Sequence, residues 1–553
     1  MSEHADKIIT NGKLVSFDSD NVGASALAIK GDKISAVGSD DDIANLKGPD
    51  TQVIDAEGAT VMPGIVESHV HLFMGSTEIG ALDVAGIYDK QGFADATRAY
   101  AAEHPELDIL FGFGTNYFAL DGPVTRQGLD EVISDRPLAV MASDHHTVFA
   151  NTKALEMAGI LHGGECDEGS EIAMADDGTA TGALYEPGAF KHVIALTPTG
   201  GREGAGFTYG DDPVPAPSAA ERAIDREILK KGLAHCASHG ITTLHNMDGN
   251  FYQLELLQEI DDAGELVCRT QVPFHLKNFH PLEKLQDAVD MRERFNSDMV
   301  WSNRVKMFMD GVSESYTAYM LQEYPDKATC SEALFSVEHF NEACIKADEA
   351  GLQISVHAIG DAAIRQTLDG YEEARRVNGP RDSRHRIEHL EIPHRDDLPR
   401  LRELGVIASM QPLHSPAAGF FPPPDEGTIW HDFQKELAFP WKACREEGIV
   451  VAFSTDWPVV PVDVMPSMKG AVAAKDLGAP WPKQPQDLTD TIASYTRDGA
   501  YTEFTENRKG QLKTGMYADI AIMSHDLYAL APDDLDTARA LYTICGGRIT
   551  YQA

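Results

Sequence analysis

Residues suited to metal binding recur at the ends of short apolar runs along this chain. Five of them are His69, His71, His357, His389 and Asp456, and a sixth candidate, Lys306, stands near the start of another such run. The first two form a His-Val-His step, and side chains two apart on a strand point to the same side. Imidazole nitrogens and carboxylate oxygens together suit Zn, Mn, Fe or Co. If the runs converge in space, the pattern predicts a divalent metal site.

Eight buried-type strands carry these residues, and most are followed by helical stretches. The predicted strands span Gly64–His71, Ile241–Asp248, Arg269–Leu276, Val305–Asp310, Gln353–His357, Arg386–Leu390, Val406–Gln411 and Val450–Asp456. Ser218-Ala-Ala-Glu221 is a capping box that opens a helix before the second strand. Eight strand–helix units are typical of a closed parallel barrel with its chemistry at the carboxyl ends of the strands. We therefore predict an α/β fold, a (β/α)8 TIM barrel over residues 63–509.

Both ends of the chain are rich in strand signals. Asn11-Gly12 and Gly31-Asp32 each separate two short apolar runs, which predicts two hairpins. Further strands are expected over residues 518–523 and 541–552, the latter broken at Gly546-Gly547. These signals predict a small β-sandwich domain assembled from residues 1–62 and 510–553.

The connection between the first two barrel strands is far too long for one helix. About 170 positions separate His71 from Ile241, whereas a connection within a barrel takes a few tens of residues. We predict an inserted subdomain over residues 75–217, with strands of its own at Leu107–Gly114 and Leu138–Ser143. The segments 199–217 and 420–427 are expected to be loops over the catalytic face.

Composition excludes several other classes of protein. The formal charge of −41 argues against nucleic-acid binding. The sequence contains no apolar run of about 18 residues, so no membrane span is predicted. Seven scattered cysteines without a Cys-x-x-Cys pair, and a start with no secretory signal, favour a reducing cytoplasm. A homodimer is the base-rate expectation for oligomeric state.

Longer motifs around the candidate residues resemble one known family. They are Val61-Met-Pro-Gly-Ile-Val-Glu-Ser-His-Val-His71, Val305-Lys-Met-Phe-Met-Asp-Gly311, Val356-His-Ala-Ile-Gly-Asp361, Arg386-Ile-Glu-His389, Ser454-Thr-Asp-Trp-Pro458 and Gly510-Gln-Leu-Lys-Thr-Gly-Met-Tyr-Ala-Asp519. These motifs, spread over nearly the whole chain, resemble the amidohydrolase superfamily. Within it the chain is most similar to amidohydrolase family 3, which includes N-substituted formamide deformylase-like and YtcJ-like metal-dependent hydrolases.

The resemblance implies a two-metal hydrolytic centre, most simply with two Zn ions. It implies that His69, His71 and Asp456 bind the first metal and that His357 and His389 bind the second. It further implies that Lys306 takes up CO2 and bridges both as a carbamate. Water acidified between the metals would then attack a small-molecule amide, with Asp456 as general base and then general acid. The implied activity is hydrolysis of carbon–nitrogen bonds other than peptide bonds (EC 3.5).

Three further residues are candidates for substrate contact. They are His146 in the insertion, His245 at the end of the second strand and Trp457 beside Asp456. Each has a structural alternative: the His146 segment also reads as the start of a helix capped by Asn151. For Lys306 the alternative to a carbamate is a salt bridge, for instance with Asp310, in a site with one main metal.

Two other functions remain open on the sequence alone. A mononuclear deaminase of the same superfamily typically has a glutamate three residues after the fifth-strand histidine, and here that position is Gly360. A catalytically inactive scaffold is expected to lose metal ligands, and all six positions are filled. Both observations favour amide hydrolysis.

Overall fold

The protein forms two compact units. The structure, a computed structural model, describes residues 4–143, 145–166, 170–421 and 429–553. One unit comprises Met1–Leu72 together with Leu233–Ala553, and the other comprises Phe73–Gly232. Residues 422–427 of the predicted loop at 420–427 lie outside the described residues. No helix in the described ranges is long and apolar enough to cross a membrane.

The larger unit contains eight successive parallel strand positions. These strands, called barrel strands 1 to 8 below, are Ile65–Val70, Ile241–Asn246, the pair Arg269–Gln271 and Phe274–His275, Arg304–Phe308, Gln353–Ala358, Arg386–His389, Ile407–Met410 and Val451–Phe453. Each pairs in parallel with the next. A parallel bridge between Val70 and Trp457 joins the end of this series to its beginning. The predicted TIM-barrel-type α/β fold is confirmed.

Helices follow most of the barrel strands. Those of the barrel region are Ala219–Ser238, Phe251–Asp262, Leu285–Arg294, Val337–Glu349, Asp361–Asn378, Leu398–Leu404, Asp432–Lys435, Trp441–Glu446, Val464–Val472, Leu488–Ser494 and Arg497–Thr502. The predicted capping box is present, because the Glu221 carboxylate accepts from the Ser218 backbone at 2.7 Å while Glu221 N donates to Ser218 Oγ at 3.3 Å. Short 3-10 turns include Leu282–Lys284, Arg395–Asp397, Pro412–His414 and Pro416–Ala418. The last-but-one of these turns carries a residue of the candidate site.

The chain termini form two sheets with a shared apolar core. In spatial order the first sheet contains Lys33–Gly38, Ala26–Lys30, Lys7–Thr10 and Gln52–Asp55, and the second contains Lys13–Leu14, Thr60–Pro63, Ile520–Met523, Ala540–Cys545 and Arg548–Gln552. Apolar side chains of both sheets, such as Ile29 and Ile520, belong to one buried cluster. Arg269 of barrel strand 3 is fixed to Asp519 by a buried ion pair of 2.8 Å, which gives the Asp519 motif a structural role.

One of the two predicted hairpins is wrong. Gly31 lies in a tight turn that pairs Ala26–Lys30 with Lys33–Gly38 in antiparallel register, as expected. At Asn11, by contrast, the chain turns out of the first sheet, and Lys13–Leu14 pairs in parallel with Thr60–Pro63 of the second. Asn11 N donates to the Asp40 carboxylate at 2.6 Å. The Asn-Gly turn therefore connects two sheets, because its backbone donor is satisfied by a side chain instead of a partner strand.

The smaller unit, Phe73–Gly232, is built on a six-stranded sheet. Its strands in spatial order are Glu171–Met174, Ala180–Tyr185, Thr147–Ala150, Leu138–Ala142, Leu110–Thr115 and Leu82–Asp83. Its helices are Lys90–Glu103, Arg126–Val132, Thr152–Met157, Pro187–Ile194 and Ala205–Thr208. Both strands predicted for the insertion are present. The Asn151 side chain caps the helix that follows it by accepting from Ala154 N.

Candidate metal centre

Barrel strands 1 and 8 bring three candidate ligands together at their carboxyl ends. The Nε2 atoms of His69 and His71 each lie 3.2 Å from Asp456 Oδ1. Backbone hydrogen bonds fix this arrangement, since Asp456 N donates to His69 O at 3.0 Å and His71 N donates to Trp457 O at 2.8 Å. All three side chains are buried, and their ligand atoms lie within 4.8 Å of one another.

Each histidine of this group is oriented by a second carboxylate. His69 Nδ1 lies 2.7 Å from Glu388 Oε2, and His71 Nδ1 lies 2.5 Å from Asp248 Oδ1. A carboxylate on one ring nitrogen fixes the tautomer and makes the other nitrogen a stronger ligand. Burial alone would lower the pKa of His71, but Asp248 and Asp456 raise it to about 10. Burial alone would likewise raise the pKa of Asp456, but His69 and His71 hold it well below its usual range.

Glu388 is held as a carboxylate by a buried guanidinium. Arg386 Nε lies 2.8 Å from Glu388 Oε1, and Arg386 Nη2 donates to Oε2 at 2.9 Å. Ser355 Oγ also donates to Glu388. Burial would raise the pKa of Glu388, but Arg386 and His69 hold it well below its usual range. Glu388 thus lies directly behind His69.

The candidate ligands of barrel strands 5 and 6 face the same space with neutral partners. The His389 ring lies 4.4 Å from that of His357 and 5.0 Å from that of His69, centroid to centroid. His389 Nδ1 donates to the Gln411 amide oxygen at 2.9 Å, and His357 Nε2 donates to the Gly311 carbonyl at 3.0 Å. Burial lowers the pKa of His357 to about 3 and that of His389 well below its usual value. Both rings are neutral and available as ligands at neutral pH.

Lys306 is an amine buried without a hydrogen bond. Its side chain is fully buried in barrel strand 4, and Nζ has no hydrogen-bond partner among the described residues. Burial lowers the pKa of Lys306 to about 8. The alternative salt bridge with Asp310 is wrong, because that carboxylate accepts instead from the backbone of Tyr319, Ile359 and Gly360 at 2.9 to 3.1 Å.

A further histidine, His414, joins the group and was missed from the sequence. It ends the short turn Pro412–His414 after barrel strand 7, with Nε2 3.9 Å from Asp456 Oδ2. Together His389, His414 and Asp456 offer ligand atoms within 4.8 Å of one another. The available signal was its position three residues beyond the predicted end of a barrel strand. Because His414 lies in a turn, the alternation of side chains along a strand does not predict where its side chain points.

Two of these residues also have unusual backbone conformations. His389 has φ of 73° and Asp456 has φ of 65°, in the left-handed region. Such a conformation costs a non-glycine residue about 1–3 kcal/mol and is concentrated at functional sites. The backbone is therefore strained at Asp456 and His389, two of the candidate ligands.

The three residues predicted to contact substrate have different surroundings. His245 is fully buried, with Nε2 2.6 Å from Glu503 and Nδ1 accepting from Arg386 at 3.0 Å. Both its ring nitrogens are therefore used inside the barrel. His146 belongs to the smaller unit, where Nδ1 lies 3.1 Å from the Glu186 carboxylate. Trp457 is nearly buried beside Asp456, with its ring 5.6 Å from that of His235.

The residues present fit a divalent metal. Buried polar atoms without a hydrogen bond are rare in folded proteins because desolvating them is costly. Within the described ranges, several lie at this end of the barrel, among them His69 Nε2, Lys306 Nζ, His414 Nε2 and Asp456 Oδ1. Nitrogen and oxygen donors converging in this way are the donor set of zinc and related metals.

Fold and site together define a barrel of the metal-dependent hydrolase type. The sequence model described as "Amidohydrolase family" matches residues 52–551, and the chain belongs to that family. The resemblance seen in the sequence is thereby confirmed.

Relatives of known sequence and structure are similar to this chain over nearly its whole length. The chain is 24% identical to N-substituted formamide deformylase of Arthrobacter pascens, covering 100% of this chain and 99% of the relative. It is 26% identical to the protein LONG AFTER FAR-RED 3 of Arabidopsis thaliana, covering 99% and 92%. The crystal structure of an uncharacterized metal-dependent hydrolase from Pyrococcus horikoshii superposes with a TM-score of 0.74 at 22% identity, covering 95% of this chain and 99% of that one.

Proposed function

We propose that this protein hydrolyses a non-peptide carbon–nitrogen bond of a small amide, using a divalent metal centre at the mouth of its barrel. The observation that carries the proposal is the convergence of His69, His71 and Asp456, with the unbonded Lys306 amine buried nearby. The deformylase relative, aligned over the whole chain, supports an amide-type substrate.

In this proposal the six residues taken from the family pattern hold two metals, with Zn as the expected ion and Mn, Fe or Co as alternatives. They are His69, His71, Lys306, His357, His389 and Asp456. Divalent metals at such a centre acidify water and polarise a carbonyl group. Asp456 is ionised, because His69 and His71 lower its pKa. It accepts the proton from the attacking water and passes it to the leaving nitrogen.

Lys306 serves the centre as a carbamate. A lysine with pKa near 8 is partly neutral at physiological pH, and the neutral amine reacts with CO2. The product is an anion with two oxygens in place of a cation that repels metals. Its burial without a hydrogen-bond partner in the described part of the chain supports this role, since a permanently charged ammonium would be costly there.

Three broader assignments belong to the same proposal. The terminal sheets at 1–62 and 510–553 act as a β-sandwich supporting the barrel at 63–509, and the insertion at 75–217 supplies specificity, with His146 contacting substrate. His245 and Trp457 are proposed to shape the barrel side of the substrate pocket. The protein acts in the cytoplasm on small molecules, as a homodimer.

The ring-deaminating alternative is disfavoured at position 360. A Cβ atom there would lie 2.1 Å from the carbonyl oxygen of Tyr319, so the backbone leaves no space for any side chain. Gly360 N also donates to Asp310 at 2.9 Å. The glutamate that such deaminases place three residues after the fifth-strand histidine therefore has no room in this fold.

The test is metal quantification combined with a substrate panel. We expect purified protein to contain up to two equivalents of divalent metal and to hydrolyse at least one member of a panel of N-formyl, N-acyl and cyclic amides. Chelation should abolish turnover, and added Zn, Mn or Co should restore it. Metal-independent turnover, or deamination of aminopurines without amide hydrolysis, would contradict the proposal.

A further inference from the structure

His414 occupies a position that the six-residue pattern leaves unexplained. Its ring lies parallel to that of His389, 6.0 Å away with 9° between the planes. Its Nε2 atom is buried, and within the described residues it has no hydrogen-bond partner. The same atom points toward Asp456 Oδ2 at 3.9 Å. The ring is thus aimed at the oxygen of Asp456 that His69 and His71 do not approach.

Three histidines around Asp456 face it in a similar way. Each turns Nε2 toward Asp456 and Nδ1 toward a second buried carboxylate. The carboxylate is Glu388 for His69 at 2.7 Å, Asp248 for His71 at 2.5 Å and Glu391 for His414 at 3.9 Å. The first two are hydrogen bonds, whereas 3.9 Å is beyond hydrogen-bond distance, and burial raises the pKa of Glu391 well above its usual value. Carboxylate–histidine pairs with the remaining nitrogen directed inward are the usual outer support of protein metal ligands.

We propose that His414 is a metal ligand. It holds the second metal together with His389 and Asp456, and the Glu391 side chain lies behind it, 3.9 Å from Nδ1. Asp456 lies between the two groups of histidines, because Oδ1 is 3.2 Å from His69 and His71 while Oδ2 is 3.9 Å from His414. This inference rests on the proposed metal-dependent function and adds a seventh ligand to the family pattern.

His414 differs from His357, the family's other candidate on this side. His357 Nε2 is already hydrogen-bonded to the Gly311 carbonyl at 3.0 Å, whereas His414 Nε2 has no such bond among the residues described. A residue kept only for packing would leave a buried ring nitrogen without a hydrogen bond, which is unfavourable. Coordination of a metal removes that cost.

Metal counting on the full-length protein tests the assignment without any substrate. Metal-free wild type is titrated with Co(II) and compared with His414→Gln and with His394→Gln, a control histidine outside the centre. We expect two equivalents in wild type and in the control. Loss of a residue that only supports a metal ligand weakens metal binding by about 10–100-fold. Loss of a ligand itself should cost more, so in His414→Gln the second equivalent should bind at least about 100-fold more weakly.

A second variant reads the coordination directly and guards against misfolding of the first. In His414→Cys loaded with Co(II), a thiolate-to-cobalt absorption band absent from wild type is expected in the near ultraviolet. Binding of both equivalents with wild-type affinity in His414→Gln, or the absence of that band, would overturn the assignment. So would a single equivalent in wild type. Failure of the amide panel with two intact binding events would refute the proposed reaction alone.

Discussion

The two ends of the barrel use the same residue types for opposite purposes. At the carboxyl ends, His71 pairs with Asp248 at 2.5 Å and still directs Nε2 toward Asp456. At the amino ends, His385 lies 3.2 Å from Asp348, and its Nδ1 accepts from Ile354 N at 3.1 Å. A buried His–Asp pair therefore marks both regions, and the pair alone does not distinguish them.

What separates the two ends is how completely their polar atoms are satisfied. Asp348 also accepts from Asn378 at 2.9 Å and from Arg381, so the cluster around it is closed. The mouth of the barrel instead keeps several buried donor and acceptor atoms without hydrogen bonds. We infer that the closed cluster contributes to stability and that the open one sacrifices stability for ligand binding, as active sites commonly do.

The largest expected effect is loss of activity at the mouth. His69→Ala and Asp456→Asn should each lower kcat/KM by about 1000-fold or more, equivalent to about 4 kcal/mol in the transition state. Each change also removes the partner of a buried charged group, Glu388 for His69→Ala and His71 for Asp456→Asn, so the thermal stability of the metal-free protein should fall. The check is turnover of an amide identified by the panel, together with thermal unfolding. Turnover within tenfold of wild type in Asp456→Asn would exclude its role in proton transfer.

The next effect concerns stability at the opposite end. Asp348→Asn leaves His385 and Arg381 without their buried anion, so we expect about 3 kcal/mol lower stability at pH 7 and unchanged kcat/KM of the folded protein. The matched control is Glu373→Gln, which breaks an exposed pair with Arg376 and should change stability by less than about 0.5 kcal/mol. Urea unfolding of both variants measures the difference.

The same variant has a defined pH dependence. Burial alone would raise the pKa of Asp348, but hydrogen bonds from His385, Asn378 and Arg381 lower it below its ordinary value. A carboxylate with a depressed pKa in the folded state stabilises the protein above its unfolded pKa of about 4 and loses that contribution at lower pH. The gap between wild type and Asp348→Asn should therefore narrow between pH 5 and pH 3. A gap independent of pH would contradict this account.

The smallest effect distinguishes the two kinds of partner within the mouth. Glu388→Gln keeps the shape but removes the charge behind His69, and should weaken metal binding by about 10–100-fold. Gln411→Leu, which removes the neutral partner of His389, should weaken it less. Both affinities come from competition with a chelator. An equal loss in the two variants would mean that the charge of Glu388 has no special effect on its histidine.

Much of this architecture was predictable because barrel strands have a strong local signature. Each predicted strand is present, since buried parallel strands give short apolar runs that end in polar residues. His69 and His71 were found because their spacing of two fixes their common direction. His414 was missed because it lies in a turn, where spacing carries no such information. The Asn11-Gly12 turn was misassigned because its flanking strands pair with different, distant segments.

The bridge between Val70 and Trp457 has a consequence for the synthesis of the protein. The histidines of strand 1 leave the ribosome about 390 residues before Asp456, or roughly 20 to 80 seconds earlier at translation rates of about 5–20 residues per second. Until then barrel strand 1 lacks its partner from the end of barrel strand 8. The hydrogen bond from Asp456 N to His69 O joins barrel strand 8 to barrel strand 1. The same residue supplies the carboxylate that lies beside His69 and His71. In the proposed centre, all the ligands are therefore in place only after the chain has been made at least as far as Asp456.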